Sequence, residues 1–342
     1  EQERIKRMPT QTLAAQRTAQ AGLIRTQTAA VVEKTAVVQR QASTSATQTK
    51  MAFSSTQAAA VKLRQSADIP LAGGDFRKYQ LLVFSTDSNI GIFSVMADGS
   101  GQKKAVNSTE RSQLCPRFSP DRRWIAFVVG RGYANEAELW LANGDGSNPK
   151  LLLKNAGCPA WSPDSRMLAF PNYRDERRLY RVNVDGSGMV KITDAQIPAN
   201  GRCTIFSCLS WSPDGKSLVY ASNDIFVVEV KGGTPRQLTF AGSAWSPAWS
   251  PDGRQIAFDL QQATRVYNIM AMDKDGKNLH QVTYDGLVNT DPSWSPDGAW
   301  IGYSGSWMNT RGFFAARPDG SGEILRLPIN GLYISSLFAF VP

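Results

Sequence analysis

The chain has one histidine, His280, and four cysteines in 342 residues, and no two cysteines stand at C-x2-C spacing. Zinc sites built from Cys and His need such close pairs and usually several imidazoles, so a metal centre of that kind is disfavoured. No apolar run reaches the roughly 18–20 residues of a membrane-spanning helix, which argues against a helical bilayer crossing. A G-x-S-x-G nucleophile elbow is also missing, and with it the local signature of an α/β hydrolase. Aromatic residues are nearly absent from the first part of the chain: Phe53 is the only one before Phe76, leaving 32 of 33 in the rest. Charge is divided in the same place. Residues 1–74 carry ten Lys/Arg against four Asp/Glu, and so hold +6 of the formal +9. Core-building capacity therefore lies almost wholly after residue 75.

What is present there is a repeat. One phrase recurs as Phe118-Ser119-Pro120-Asp121, Trp161-Ser162-Pro163-Asp164, Trp211-Ser212-Pro213-Asp214, Trp249-Ser250-Pro251-Asp252 and Trp294-Ser295-Pro296-Asp297. Its aromatics are 43, 50, 38 and 45 residues apart. A second phrase, Asp-Gly, keeps the same rhythm at Asp98, Asp145, Asp185, Asp275 and Asp319, with Lys231-Gly232-Gly233 in the fourth unit. Ser-Pro-Asp-Gly suits a type I turn, because Pro fixes φ at the second position and Asp and Gly suit the third and fourth. Short β-rich runs follow each turn, such as Trp124–Val129 and Met167–Phe170. A second run ends in the Asp-Gly turn, and a short edge segment completes the unit. Four antiparallel strands at a period of about 40–45 make a propeller blade.

The first unit lacks an innermost strand, whereas Tyr333–Phe340 is left over after the sixth edge segment. Setting Phe338 at the repeat's aromatic position supplies the missing strand. The expectation is an all-β, six-bladed β-propeller over residues 75–342, closed by the C-terminal strand and preceded by a helical or extended segment, 1–74. The x-P-x-W-S-P-D-G-x-x-I-A-F pattern with its later D-G and L-T resembles the PD40 repeat of TolB-like β-propellers. That resemblance implies the propeller and a cell-envelope setting with protein contacts. It does not extend to the α/β domain that precedes the propeller in that family, because residues 1–74 lack strand patterning.

Ala, Gln and Thr supply 35 of the first 72 residues, and only Gly22 interrupts the stretch between Pro9 and Pro70 as a breaker. So little apolar area does not order a segment alone. The expectation is an arm that anchors the propeller to a protein partner. Nucleic acid is disfavoured, because the basic residues are scattered and no aromatics interleave for base stacking. Residue 1 is Glu, with no charged-then-apolar leader. A periplasmic or extracellular protein with its signal segment removed is expected.

The candidate residues follow from the same alignment. Asp121, Asp164, Asp214, Asp252 and Asp297 are expected as turn residues rather than ligands. Cys115, Cys158 and Cys208 each stand three residues before the phrase's aromatic, where Ser246 and Asp291 stand in the fifth and sixth units. Cys115–Cys158 with Cys203–Cys208 is one disulfide pattern, and Cys158–Cys208 is the competing pairing. Arg131, Tyr133, Tyr173, Arg174, Arg177, Arg202, Trp307 and Arg311 fall in loops at the channel mouths and have the residue types enriched at interfaces. His280 lies in an edge segment, where a surface role is expected rather than catalysis. No cofactor and no enzyme activity are expected. A protein-binding scaffold is the first functional reading, and a small-ligand or glycan receptor at the channel mouth is the second.

Overall fold

A computed structural model describes residues 79–85, 91–106, 113–130, 137–197, 209–284, 287–307, 310–322, 324–327 and 339–341. The expected arm, 1–74, lies outside the described residues, as do Cys203, Cys208 and Phe338.

The described strands form six four-stranded antiparallel sheets. The first consists of Gln80–Ser85, Gly91–Met96 and Lys103–Lys104, with Ala339–Val341 on the far side of Gln80–Ser85. That strand joins in the register Gln80↔Val341, Leu81↔Phe340 and Leu82↔Ala339. The second contains Gln113–Phe118, Trp124–Val129, Glu138–Asn143 and Lys150–Lys154, and the third Ala160–Trp161, Met167–Asn172, Arg178–Asn183 and Val190–Gln196. Leu209–Trp211, Ser217–Ala221, Ile225–Glu229 and Arg236–Gln237 make the fourth. The fifth has Ala244–Trp249, Gln255–Ala263, Val266–Asp273 and His280–Gln281, and the sixth Thr290–Trp294, Ile301–Trp307, Thr310–Ala316 and Ile324–Leu327. The architecture is an all-β propeller.

The second strand of the second sheet is buried on both faces. Ile125, Ala126, Phe127 and Val128 are all without exposure, which explains a continuous apolar run in place of strict alternation. One buried cluster draws Tyr79, Val95 and Ala97 of the first sheet together with Trp300, Phe313, Ala315 and Leu327 of the sixth.

The Ser-Pro-Asp phrase builds the same turn five times. The serine hydroxyl donates to the aspartate Oδ1 at 2.6 Å in the second, third and fourth sheets and 2.7 Å in the fifth and sixth. The same Oδ1 accepts the backbone N–H two residues on, from Arg123, Arg166, Lys216, Arg254 and Ala299. The serine Oγ in turn accepts an N–H at the start of the following strand, from Trp124, Met167, Ser217 and Gln255, or just before it, from Trp300. A single Ser–Asp pair thus satisfies backbone donors that a strand start leaves open.

The fourth turn position has positive φ in every copy. Gly215, Gly253 and Gly298 hold it at 71°, 69° and 69°, but Arg122 and Ser165 hold it at 60° and 61°. A left-handed L-residue costs about 1–2 kcal/mol, and glycine gives back about 0.5–1 of that through unfolded-chain entropy. Arg122→Gly is therefore expected to stabilise by roughly 0.5 kcal/mol. Ser165→Gly is expected to gain nothing or lose, because Ser165 Oγ accepts the Asp121 N–H of the neighbouring sheet at 3.0 Å, a bond worth about 1 kcal/mol. Paired urea titrations check this, and equal gains in both variants would contradict the inter-sheet bond's contribution.

Neighbouring sheets are stitched at the centre by indoles. Trp161 Nε1 donates to the Arg117 carbonyl at 3.0 Å, Trp211 to Ala160 at 3.1 Å and Trp294 to Ala248 at 3.1 Å. In each case the acceptor stands one residue before the aromatic of the preceding sheet. At the periphery the Asp-Gly turns of the second, third, fifth and sixth sheets abut the outer part of the sheet before. A Cβ on Gly146 would lie 1.9 Å from the Ala105 carbonyl oxygen, and one on Gly320 would lie 2.4 Å from that of Gln281.

Candidate functional site

The innermost strands of the second, fifth and sixth sheets each carry a bulge, between Leu114 and Arg117, Trp245 and Ala248, and Thr290 and Ser293. The bulge residues Cys115, Ser246 and Asp291 have φ of 52°, 51° and 58°. A proline follows each one, at Pro116, Pro247 and Pro292. Proline lacks the ladder N–H and is at home where pairing is interrupted. These three strained residues occupy the equivalent place in their sheets, and each is tied to a neighbour.

Cys115 is bonded to Cys158 of the third sheet as a disulfide with Cα atoms 5.5 Å apart, and both are buried. Ser246 Oγ donates to Asp291 Oδ1 at 3.1 Å, and the Asp291 N–H donates to Asp259 Oδ1 at 3.3 Å. The same inter-sheet junction is thus covalent between the second and third sheets and hydrogen-bonded between the fifth and sixth.

Ser246 and Asp291 also line an axial cavity of about 460 Å³. Its walls include Trp161, Trp211, Trp249 and Trp294 and four of the five Ser-Pro-Asp prolines, Pro120, Pro213, Pro251 and Pro296; Arg117 and Asp291 are its two charged lining residues. Three of those indoles spend their N–H on carbonyls, so the faces they present are apolar. Enclosure strips water from the Arg117 guanidinium and lowers its pKa from 12.5 to about 10, against the opposing pull of Asp291. It remains a cation at neutral pH.

The other expected residues are placed as follows. Tyr173 opens a short 3-10 turn, Tyr173–Asp175, and packs against the cluster that contains Cys115 and Cys158. Burial raises its hydroxyl pKa to about 12. It is half-buried against that cluster. Arg174 is exposed, and Arg177 Nε is held by the Ile197 carbonyl at 2.8 Å. Trp307 and Arg311 sit at the end of one hairpin, in the pairs Trp307↔Thr310 and Ser306↔Arg311. Arg131, Tyr133 and Arg202 lie outside the described residues. His280 places Nδ1 at 2.9 Å from the Asn278 carbonyl and Nε2 at 2.8 Å from the Pro318 carbonyl, joining the fifth sheet's edge to the sixth sheet's turn. Among the described residues no three His, Cys, Asp or Glu side chains gather as a metal site, and no helix is long and apolar enough to cross a membrane.

Arg117 was missed by sequence reasoning. Its signal was available only after alignment on the aromatic: the preceding position is Arg117, Ala160, Ser210, Ala248 and Ser293. Small residues suffice in four sheets, and a long cation stands in one.

The fold is shared with a solved structure, and sequence relatives match parts of the chain. TolB from Acinetobacter baumannii superposes with a TM-score of 0.66 at 20% identity, over 79% of this chain and 68% of that one. The Tol-Pal system protein TolB of Bordetella pertussis is 30% identical over 150 residues, 42% of this chain and 34% of its own length. An uncharacterized peptidase of Bacillus subtilis, YuxL, is 26% identical over 210 residues, 57% of this chain and 30% of that one. The chain thus spans about a third of the length of these two curated relatives. Residues 202–333 match the family model described as the TolB beta propeller domain, PD40.

Proposed function

We propose that the chain is a non-catalytic, protein-binding propeller of six blades, closed by its C-terminal strand and working outside the cytoplasm in a bacterial envelope or extracellular assembly. Residues 1–74 are its attachment arm. The observation that carries the reading is the family match over 202–333 together with 30% identity to a Tol-Pal system protein. Six four-stranded sheets, the pairing of Ala339–Val341 with Gln80–Ser85, and the buried cluster shared by the first and sixth sheets support the ring. The Cys115–Cys158 disulfide favours an oxidising compartment.

Absence of catalysis is part of the proposal. The aspartates of the Ser-Pro-Asp turns are engaged by their own serines, and both His280 ring nitrogens face backbone carbonyls. The likeness to the peptidase covers 30% of that protein, and no peptidase activity is carried over from it. Deleting residues 1–74 is expected to leave a folded, monomeric propeller that no longer enters the assembly. Size-exclusion chromatography and pull-down from native envelope extract check this, and assembly retained by the truncated chain would sink the attachment role.

A second reading is favoured by one feature. The axial cavity of about 460 Å³ is of the size that holds small molecules, so a small-ligand or glycan receptor is the alternative.

A further inference from the structure

We propose that the axial cavity takes a small monocarboxylate with an apolar body, whose carboxylate pairs with the Arg117 guanidinium. The inference rests on the receptor reading and names its ligand class.

Three observations converge. The residue before the repeat's aromatic is small in four sheets, Ala160, Ser210, Ala248 and Ser293, so the fold does not need a long side chain there. Arg117 at that place puts one cation among small and apolar walls. A guanidinium carries five donors, and here Nη1 reaches the neighbouring Pro116 carbonyl only at 3.4 Å. A desolvated guanidinium with a long, weak bond is a receptor for a planar acceptor, and a carboxylate matches its fork with two parallel bonds.

The walls define the rest of the ligand. Trp161, Trp211 and Trp294 have used their N–H groups on carbonyls, and with the turn prolines they offer apolar contact. Trp249 adds a fourth indole to the same wall. Asp291 lines the cavity as well; its charge already acts on Arg117 and opposes every anionic group, a doubly charged ligand most strongly. Dicarboxylates and phosphates are therefore selected against, and a monoanion is selected for.

The test uses the full chain and matched acid–amide pairs: 4-phenylbutyrate against 4-phenylbutyramide, and Ala-Ala-Phe with a free against an amidated C terminus. Calorimetry and thermal shift up to about 5 mM ligand are run on wild type, Arg117→Met and Arg117→Lys. The expected result is binding of the acids with at least about ten-fold preference over the amides, lost in Arg117→Met and partly kept in Arg117→Lys. The phenylbutyrate and tripeptide arms separate a free small acid from a peptide terminus. Should Arg117→Met not fold, the acid–amide ratio in wild type and Arg117→Lys decides. Equal binding of acid and amide in wild type overturns the carboxylate inference and leaves the receptor reading standing. No binding of any probe overturns the carboxylate inference as well.

Discussion

Replacing Gly146 with alanine is expected to lower the melting temperature by roughly 10 °C, several times the loss from Gly186→Ala. Both glycines close an Asp-Gly turn with closely similar φ, 84° and 87°. The conformational penalty for an L-residue, about 1–2 kcal/mol, is therefore common to the two. What differs is the neighbour. A Cβ at position 186 would meet the flexible end of Leu152 at 3.5 Å, an ordinary contact. At 146 it would lie 1.9 Å from the Ala105 carbonyl oxygen and 2.8 Å from its carbon. That carbonyl belongs to backbone pinned by the Ala105 N–H to the Ile92 carbonyl at 2.8 Å, so it has no soft direction in which to yield. The two sheets must separate or the turn must unwind. Gly320, whose Cβ would stand 2.4 Å from the Gln281 carbonyl oxygen, is expected to fall between the two, and Gly276 at 3.3 Å from Leu238 near the mild end. Thermal melts of the four alanine variants check the series. Equal losses at all four positions would show that φ alone matters and that the sheet-to-sheet approach does not.

The same contacts show why some of this molecule was legible in its sequence. Propeller architecture follows from local chemistry repeated many times: each Ser-Pro-Asp writes its own turn, and each aromatic marks an innermost strand. The expected strand Trp124–Val129 is the observed one, and Leu81–Phe84 lies within Gln80–Ser85. Such features need no long-range information. The inner-strand place of Cys115, Cys158, Ser246 and Asp291 was likewise visible from alignment, whereas the bond from Ser246 Oγ to Asp291 Oδ1 was not. It depends on two sheets approaching across 45 residues of sequence.

Tyr173 and Arg117 mark the limit from opposite sides. Tyr173 sits in a polar, arginine-rich stretch that reads as surface, yet it turns down onto the cluster around the disulfide. Arg117 sits in a strand of the inner ring, where a lone charge gives no periodic signal. Its meaning comes from the cavity, and a cavity is formed by residues from five sheets at once. Periodicity reports which face a side chain takes; it does not report what stands opposite.

Acid is expected to destabilise this propeller: the melting temperature should hold between pH 5 and 8 and fall as pH drops below 3.8. The cause is repetition again. Hydrogen bonds from the serine hydroxyls hold Asp121, Asp164, Asp214 and Asp252 below the ordinary carboxylate value of 3.8. Asp145 and Asp185 are lowered first by Ser147 and Ser187, Asp275 by Lys277, and Asp319 by the backbone N–H of Ser321. A depressed folded pKa means the native state binds its proton later than the unfolded chain as pH falls. The stabilisation is therefore complete above the unfolded value, declines as pH drops below 3.8, and is gone once the folded value is passed. Each group is small and solvent-facing, but all of them titrate in one window, and the proton uptake on unfolding adds across the sheets. Because the first cause is hydrogen bonding in most of them, raising salt to about 0.5 M should leave the profile largely in place, unlike one built on exposed ion pairs. Ser212→Ala removes the hydroxyl that lowers Asp214 and should flatten the acid limb by that one group while costing stability at neutral pH. Melts from pH 2.5 to 8 at two ionic strengths read this directly. A curve flat to pH 3, or one erased by salt, would mean that the turn aspartates do not hold the sheets' ends as the hydrogen bonds imply.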